Sequence, residues 1–384
     1  MSQIVFTRGP LLLGLFAVLT AASVPAGEPT FKKHQLDTAF RSEGVAAGDF
    51  NHDGQMDIAA GSVYYAAPDW TMHTIDSEPR EFDPAGYSNT FCNFSDDLNG
   101  DGWDDLIVVD FPGKETWWFE NPGESGGEWQ RHVVVPVTNN ESPSYLDVDG
   151  DGQRELLYGT GETTIALARP SDDADALWDV LNVSKPMAPG TDRFSHGIGA
   201  GDVNGDGRND VLVIQGWWEA PADPATTPWT FHPASFGDAC SQMHVYDFDG
   251  DGDNDVLTTS AHNYGMWWHE QTEDGFVQHE ISRDFSQTHS VVMTDFNEDG
   301  LPDFVTGKRW WAHGGHDPGG DQPAVVYWFE LVREDGAAKW IPHVIDHDSG
   351  VGTQFEVADI NGDGHDDVIT SNKKGVFYLE RVAE

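Results

Sequence analysis

Short apolar runs of four to six residues recur along the chain in pairs. An acidic, glycine-containing loop lies between the two runs of each pair. The loop that begins at Asp295, for example, lies between HSVVMT and DFVTG. An aromatic run such as VYWFEL comes next, and then a run with the pattern aromatic-x-x-His-x-apolar. Residues that are β-branched or aromatic favour strands, and no helical period appears. The pattern therefore predicts repeated units of four strands.

The acidic loop occurs seven times, at intervals of 45 to 64 residues, and DFDGDGDND at 247–255 is an example. Oxygen atoms at loop positions 1, 3 and 5 would surround calcium, and glycine at position 6 makes the turn, as in an EF-hand; a further acidic residue stands at position 9 of each loop. An EF-hand would continue into a helix, whereas here a strand-forming run follows. We therefore expect seven structural calcium loops between strands, with these ligand residues: Asp49, Asn51, Asp53, Asp57; Asp97, Asn99, Asp101, Asp105; Asp147, Asp149, Asp151, Glu155; Asp202, Asn204, Asp206, Asp210; Asp247, Asp249, Asp251, Asp255; Asp295, Asn297, Asp299, Asp303; Asp359, Asn361, Asp363, Asp367.

The number of repeats and their closure predict the fold. Seven loops match seven copies of the outer-strand pattern, which indicates an all-β, seven-bladed β-propeller of four-stranded blades. The chain ends after the third strand of its last blade, and the segment from Phe31 to Leu36 has the outer-strand pattern. We therefore expect residues 27–384 to form a single propeller in which the N-terminal strand completes the last blade.

The balance of charge narrows the possible partners. The 384 residues include 66 Asp and Glu against 20 Lys and Arg, a net charge of −46, while 12% are aromatic. Such an aromatic content indicates a folded protein rather than an acidic disordered tail. The negative charge disfavours nucleic acid and anionic membrane surfaces as partners.

Residues 1–26 have the features of a secretory signal peptide. Arg8 precedes the apolar run LLLGLFAVLTAAS, which is shorter than the ~20 residues that a membrane span needs. We therefore expect export to the periplasm or the extracellular space, with no membrane span. Only Cys92 and Cys240 are present, in blades two and five, and we expect free thiols.

The first strand of each blade should begin at the face opposite the calcium loops, beside the central channel. We count positions back from the first aspartate of each loop. The residues six positions before it are Glu43, Glu141, His196 and His289, and those three positions before it are His244 and Glu356. Gln242 and Gln354 stand five positions before it, and we expect them to bind substrate. The sequence predicts His196, His244 and His289 as ligands of a catalytic Zn²⁺ or similar ion; the other residues at these positions are Glu43, Glu141 and Glu356.

The ends of the second strands reach the same face and add more polar side chains. His262, Tyr264 and Lys308 are candidates for a catalytic base or an enolate stabiliser. Glu43 and Glu356 are further catalytic candidates, which could complete or orient the ligand set. Arg309 and Lys373 would bind a substrate that carries or develops negative charge. The insertion RWWAHGGHDPGGDQPA at 309–324 could cover the channel.

The repeats resemble the FG-GAP/VCBS propeller family. SHGIGAGDVNGDGRNDVL, GWWEAP, SQMHVYDFDGDGDNDV, VTGKRWWAHG and DSGVGTQFEVADINGDG are similar, more narrowly, to the propeller of aldos-2-ulose dehydratases. That resemblance implies a carbon–oxygen lyase that acts on a keto-sugar or keto-glycoside, and it spans nearly all of residues 27–384. The fungal enzymes add cupin-type domains, which this chain lacks, so a second, isomerase-type activity is not expected.

A second function is open at this point. Calcium-loop propellers also serve as non-catalytic modules of the integrin-like type, which bind carbohydrate or mediate adhesion. The histidines and carboxylates at the channel mouth distinguish the two functions, because an adhesin does not need imidazoles there. Quinone-dependent redox propellers are a more distant alternative, since they lack these loops.

Overall fold

A computed structural model describes residues 29–171 and 173–382; the expected signal peptide lies outside them. The described residues form 28 strands and two short 3-10 helices, Gly123–Ser125 and Ala312–Gly315. In chain order the strands are β1 Thr30–Asp37; β2 to β5, Ala46–Gly48, Asp57–Ala60, Val63–Ala66 and Thr71–Thr74; β6 to β9, Cys92–Asp96, Asp105–Val109, Lys114–Glu120 and Gln130–Thr138; β10 to β13, Ser144–Leu146, Glu155–Gly159, Ile165–Arg169 and Asp179–Asn182; β14 to β17, Ile198–Gly201, Asp210–Val213, Gly216–Glu219 and Thr230–Pro233; β18 to β21, Gln242–Tyr246, Asp255–Thr259, Tyr264–Thr272 and Gly275–Ser286; β22 to β25, Val291–Thr294, Asp303–Gly307, Val326–Glu334 and Ala337–Asp346; and β26 to β28, Phe355–Ala358, Asp367–Asn372 and Gly375–Val382.

The strands form an all-β propeller with four-stranded blades. Within each blade, consecutive strands pair antiparallel, so that strand order follows chain order. The exception is the blade with the order β1-β28-β27-β26, in which β1 pairs antiparallel with β28 from Thr30 opposite Val382 onward. The prediction that the N-terminal strand pairs with the last strands of the chain is confirmed.

The count of separate sheets differs from the seven that the repeats predict. The described strands form five four-stranded sheets and one eight-stranded sheet. In the eight-stranded sheet, β14 and β18 pair in parallel at only two positions, Ile198 with Gln242 and Gly199 with Met243. Gly199 permits this approach, because a Cβ atom there would clash with the carbonyl oxygen of Met243.

The core lies between neighbouring blades. Alternate residues of each strand point to opposite faces of its sheet, and both faces of the inner strands are buried; β3, β7, β11 and β23 are buried throughout. The largest hydrophobic cluster joins residues of three blades, for example Ile58, Trp328 and Val368. Cys92 and Cys240 are both buried and free, as expected from the sequence.

The repeating outer-strand histidines are architectural, as the pattern indicates. Each ring packs against an aromatic ring of the neighbouring third strand; those of His343 and Trp328, for instance, have centroids 4.2 Å apart. Five of the six also contact a glutamate on that strand, such as Glu330, whose carboxylate lies 2.8 Å from Nε2 of His343. The stacked pairs are His34–Tyr378, His73–Tyr64, His132–Trp118, His232–Trp217, His279–Trp268 and His343–Trp328.

Candidate functional site

Two kinds of connection bring polar residues to the face opposite the acidic loops. In an antiparallel blade the loop between the first and second strands lies at one face. The turn between the second and third strands, and the connection to the next blade, then lie at the other. Glu141, His196 and His289 precede first strands, whereas His262 follows the second strand β19. The fold therefore places these four side chains at one face, although they are far apart in sequence.

His196, His262 and His289 form a cluster, which we call the histidine cluster. Each ring offers a nitrogen atom within 4.8 Å of those of the other two. Nε2 of His196 lies 2.9 Å from Nε2 of His262. Glu141 joins the cluster, because its Oε2 atom lies 3.2 Å from Nε2 of His289 and 3.4 Å from Nε2 of His196.

The hydrogen bonds at the far side of two rings leave unprotonated nitrogen atoms facing each other. Nδ1–H of His196 donates to the carbonyl oxygen of Phe194 at 2.8 Å, and Nδ1–H of His262 donates to Asp317 at 3.2 Å. In a neutral imidazole the other nitrogen is then an acceptor. Two acceptor atoms at 2.9 Å, with the Glu141 carboxylate beside them, repel one another unless a proton or a metal ion lies between them.

The spacing of these atoms fits a transition-metal ion. Metal–ligand bonds of 2.0–2.1 Å in a tetrahedral site place ligand atoms about 3.3 Å apart. The distances of 2.9, 3.2 and 3.4 Å within the cluster bracket that value. Imidazole and carboxylate together suit Zn²⁺ and other first-row divalent ions. Nδ1 of His289 is buried without a hydrogen-bond partner, so one nitrogen of that ring has no role in the protein's own hydrogen bonding.

A buried arginine lies behind the cluster. Arg309 is 2% exposed, and its guanidinium group lies 3.4 Å from Glu43 and 3.5 Å from Glu141. Burial raises the pKa of Glu43, and the charges of Arg309 and Lys373 offset part of that effect. Arg309 was predicted to bind substrate, but it is enclosed by carboxylates. Its charge therefore offsets part of the effect of burial at Glu43 and contributes to the lowered pKa of Glu141.

The electrostatics of the cluster favour neutral rings at His262 and His289 next to a charged carboxylate. Burial, and then the positive charge of Arg309, hold the pKa of His289 well below its ordinary value. Burial and neighbouring His196 lower the pKa of His262. Burial would raise the pKa of Glu141, but its contacts with His196 and His289 and the positive charge of Arg309 hold the pKa far below its ordinary value. Neutral imidazoles beside a carboxylate are the protonation states that a metal ion requires.

The 309–324 insertion packs over the second-strand turns, which was expected of a cover for the channel. Asp317 accepts hydrogen bonds from His262 and from Nδ1 of His313, the latter at 2.9 Å. The ammonium group of Lys308 donates a hydrogen bond to the carbonyl oxygen of Gly319. A side chain at Gly319 would clash with the hydroxyl of Tyr264. His262, Tyr264 and Lys308, all candidate catalytic residues, thus contact this insertion.

Lys373 lies at the edge of the same face. Its ammonium group lies 4.2 Å from the centroid of the Tyr87 ring and 3.3 Å from the carbonyl oxygen of Trp311. The hydroxyl of Tyr87 in turn accepts a hydrogen bond from the backbone N–H of His313. Lys373 is therefore held close to the insertion, where a substrate-binding role stays a prediction.

Four of the predicted site residues line a separate cavity, away from the histidine cluster. His244, predicted to share a metal ion with His196 and His289, lies outside their cluster, because it stands three positions nearer its loop, about 10 Å along a strand. Its Nε2–H donates to the carbonyl oxygen of Val291 at 3.1 Å. Glu356 holds the equivalent position in its blade and accepts a hydrogen bond from the backbone N–H of Ala47 at 2.9 Å. His244 and Glu356 line a separate cavity of about 280 Å³, together with Gln242 and Gln354.

These four side chains link neighbouring first strands rather than face the cluster. Gln242 accepts a hydrogen bond from Val291 N–H at 3.1 Å, and Gln354 accepts one from Val45 N–H at 2.9 Å. Val291 and Val45 hold the same position in their blades, four residues before the loop aspartate. The glutamines therefore satisfy backbone groups that the inner edge of a blade would leave unpaired.

The acidic loops lie at the opposite face and share one local structure. In the first loop, Asp49 accepts hydrogen bonds from the backbone N–H groups of Asp53 and Gly54, both at 2.9 Å. Asp57, at position 9, is fully buried and accepts from Ala67 N–H at 2.9 Å. Its Oδ2 atom is buried without a hydrogen-bond partner. An unpaired, buried carboxylate oxygen beside two other carboxylates fits a calcium ligand.

Within residues 29–171 and 173–382, helices are too short or too polar to cross a membrane.

Comparison with known proteins identifies the repeat. The family model described as an FG-GAP-like repeat matches residues 97–158 and 247–306. No curated protein sequence matches the chain.

Two similar solved structures are both distant in sequence. BBS1N in complex with ARL6DN, soaked with lead, is 11% identical with a TM-score of 0.50; the match covers 89% of this chain and 92% of that one. A lectin from Agrocybe aegerita, described for its specific recognition of non-reducing terminal N-acetylglucosamine, is 14% identical with a TM-score of 0.48, over 93% of this chain and 87% of the lectin. The first likeness shows the fold alone. The chain therefore contains FG-GAP-like repeats within an all-β propeller.

Proposed function

We propose that this protein is a metal-dependent carbon–oxygen lyase that acts on a keto-sugar or keto-glycoside. The observation that carries the proposal is the histidine cluster, in which two unprotonated nitrogen atoms and a carboxylate oxygen face one another. This arrangement favours a metal site over a purely structural or adhesive role, since buried acceptors destabilise the fold unless a proton or a metal ion lies between them. The choice of reaction comes from the resemblance to aldos-2-ulose dehydratases.

His196, His262 and His289 would hold the ion, and Glu141 would supply an oxygen donor that offsets one charge. A divalent ion bound there would polarise a substrate carbonyl and so acidify the neighbouring C–H. Access comes from one side, because the side chain of His262 is 26% exposed whereas that of His289 is fully buried. Substrate would therefore approach past His262 and the insertion.

The neighbouring residues would orient that substrate. Trp310 and Trp311 stand at the start of the insertion with ring centroids 5.0 Å apart, and both are partly exposed. Aromatic faces of this kind pack against the apolar faces of sugar rings. Lys373 adds a positive charge at the same edge, where negative charge would develop on the substrate oxygen during proton removal.

The alternative function is a carbohydrate-binding propeller without catalysis. The partly exposed tryptophans of the insertion favour it as much as they favour the enzyme. The two functions differ in what the histidine cluster does, because a binding module would keep its affinity for glycans when the metal is removed.

The experiment that tests the lyase offers purified, calcium-loaded protein a set of keto-sugars: 1,5-anhydrofructose, glucosone and 3-keto-glucosides. We expect at least one to be converted to a conjugated enone, followed by its ultraviolet absorption, and we expect activity to disappear when Zn²⁺ and related ions are removed. Re-addition of the divalent ion should restore it. No enone from any substrate, with glycan binding intact in the metal-free protein, would leave the binding function.

We also propose that the seven acidic loops bind calcium and that the eight-stranded sheet consists of two blades, which makes seven in all. Each half of that sheet has its own acidic loop and its own four-strand order, and only two residue pairs join them.

Loop three should bind calcium most weakly, because the guanidinium of Arg169 contacts two of its carboxylates, Asp149 and Glu155. Export by the residues 1–26 remains part of the proposal, since extracellular fluid contains enough calcium to fill weak sites.

A further inference from the structure

A histidine of the insertion has the contacts of a proton-transfer group and was not among the predicted site residues. Nδ1 of His313 lies 2.9 Å from Oδ2 of Asp317, and the His313 side chain is 45% exposed. Its ring stacks on that of His262, with centroids 4.8 Å apart. His313 is therefore the most accessible imidazole beside the histidine cluster.

The backbone holds this side chain in place. His313 has φ of +47°, in the left-handed region that side chains other than glycine rarely adopt. Its backbone N–H donates to the hydroxyl of Tyr87 at 3.1 Å, which ties the insertion to a different blade. A strained residue that is fixed from two sides is typical of a functional position.

Asp317 sets the tautomer of the His313 ring. The carboxylate can only accept hydrogen bonds, so Nδ1 of His313 carries the proton and Nε2 is the free acceptor. Gln287 donates to the same oxygen of Asp317 at 3.2 Å, which fixes the carboxylate between His262, His313 and the sheet. A carboxylate that orients an imidazole so that its other nitrogen can take up a proton is a recurrent device of general-base catalysis.

We propose that His313 is the catalytic base of the lyase, with Asp317 as its positioning residue; this rests on the proposed function. Nε2 of His313 takes the proton from the carbon next to the substrate carbonyl, and the C–H electron pair forms an enolate. The enolate electrons then re-form the carbonyl and make a carbon–carbon double bond as the bond to the β-oxygen breaks. The same imidazolium returns its proton to the departing oxygen, so the products are an enone and an alcohol or water.

The test compares His313→Gln with His316→Gln. His316 is the matched control, because it is an exposed histidine three residues further along the same insertion. On the keto-sugar that the wild type converts, we expect His313→Gln to lose about 100-fold or more in elimination rate. It should also lose exchange of the substrate C–H with deuterated water. His316→Gln should match the wild type in both. Elimination and exchange unchanged in His313→Gln would overturn the proposal.

Two readings separate this proposal from a metal-ligand role. Zinc content and affinity should be unchanged in His313→Gln, and loss of one bound equivalent would show that His313 is a ligand and overturn the proposal. In the metal-free protein, nitrogen-15 spectra of labelled histidines should show His313 with its proton on Nδ1; a proton on Nε2 would contradict it. If the wild type itself converts no keto-sugar, the proposed function fails, whereas this tautomer can still be measured.

Discussion

Removal of calcium is expected to lower the melting temperature of this protein by about 10 °C or more at pH 7.5. A site that is filled at 100 times its dissociation constant stabilises the native state by about 2.7 kcal/mol. A few such sites together would approach the total stability of an ordinary domain, about 5–15 kcal/mol. The measurement is thermal unfolding after chelation and dialysis, followed by separate return of calcium, magnesium or zinc. Full recovery with magnesium alone, or an unchanged melting temperature after chelation, would contradict the calcium proposal.

The pH dependence of the calcium-free protein provides an internal check. Burial, together with neighbouring loop carboxylates, raises the pKa of Asp57 and Asp303 to about 7 and of Asp105 to about 8. Because the unfolded pKa is about 3.9, the native state binds more protons than the unfolded state between these values. Stability without calcium should therefore fall as pH rises from about 4 to about 8. Calcium should reduce this slope, since it replaces the bound protons.

The second large effect is expected at the histidine cluster. His289→Gln should weaken zinc binding by about 100-fold or more, because it removes a proposed ligand. Changing a residue that only hydrogen-bonds a ligand already lowers metal affinity about 10–100-fold. Elimination should fall with it. The matched control is His244→Gln, because His244 is a half-buried channel histidine that bonds to the backbone of Val291.

Both variants are compared by zinc titration and by thermal unfolding in calcium. We expect His244→Gln to bind zinc as the wild type does, whatever its effect on the melting temperature. Equal zinc affinity in His289→Gln and the wild type would show that the cluster is not the metal site. Equal losses in both variants would point to a general effect on the channel.

The repeats allowed much of this arrangement to be predicted from the sequence. A fixed loop sequence marks the end of each first strand, so counting back from it gives the height of a residue in the channel. The count placed Glu43, Glu141, His196 and His289 at one level, and in the structure they lie within one network of contacts. The same count placed His244 three positions nearer the loop, but the expected ligand set disregarded that difference, and His244 bonds to the neighbouring strand instead.

The insertion explains what sequence reasoning missed. His313 and Asp317 lie outside the repeat, so no register relates them to the other blades, and only folding brings them to His262. Arg309 posed the opposite problem. A basic residue at a channel mouth suggests a substrate contact, but the carboxylates that enclose it come from blades more than 160 residues away in sequence. Burial of this kind depends on long-range packing that one sequence does not reveal.

The central claim is that the histidine cluster binds a transition-metal ion at the face opposite the acidic loops. Anomalous diffraction at the zinc absorption edge, from crystals of calcium-loaded protein with zinc added, tests it most directly. We expect a zinc peak among His196, His262 and His289, about 2.0–2.1 Å from their nitrogen atoms. A map that shows zinc only at the acidic loops, or no zinc at all, would contradict the account.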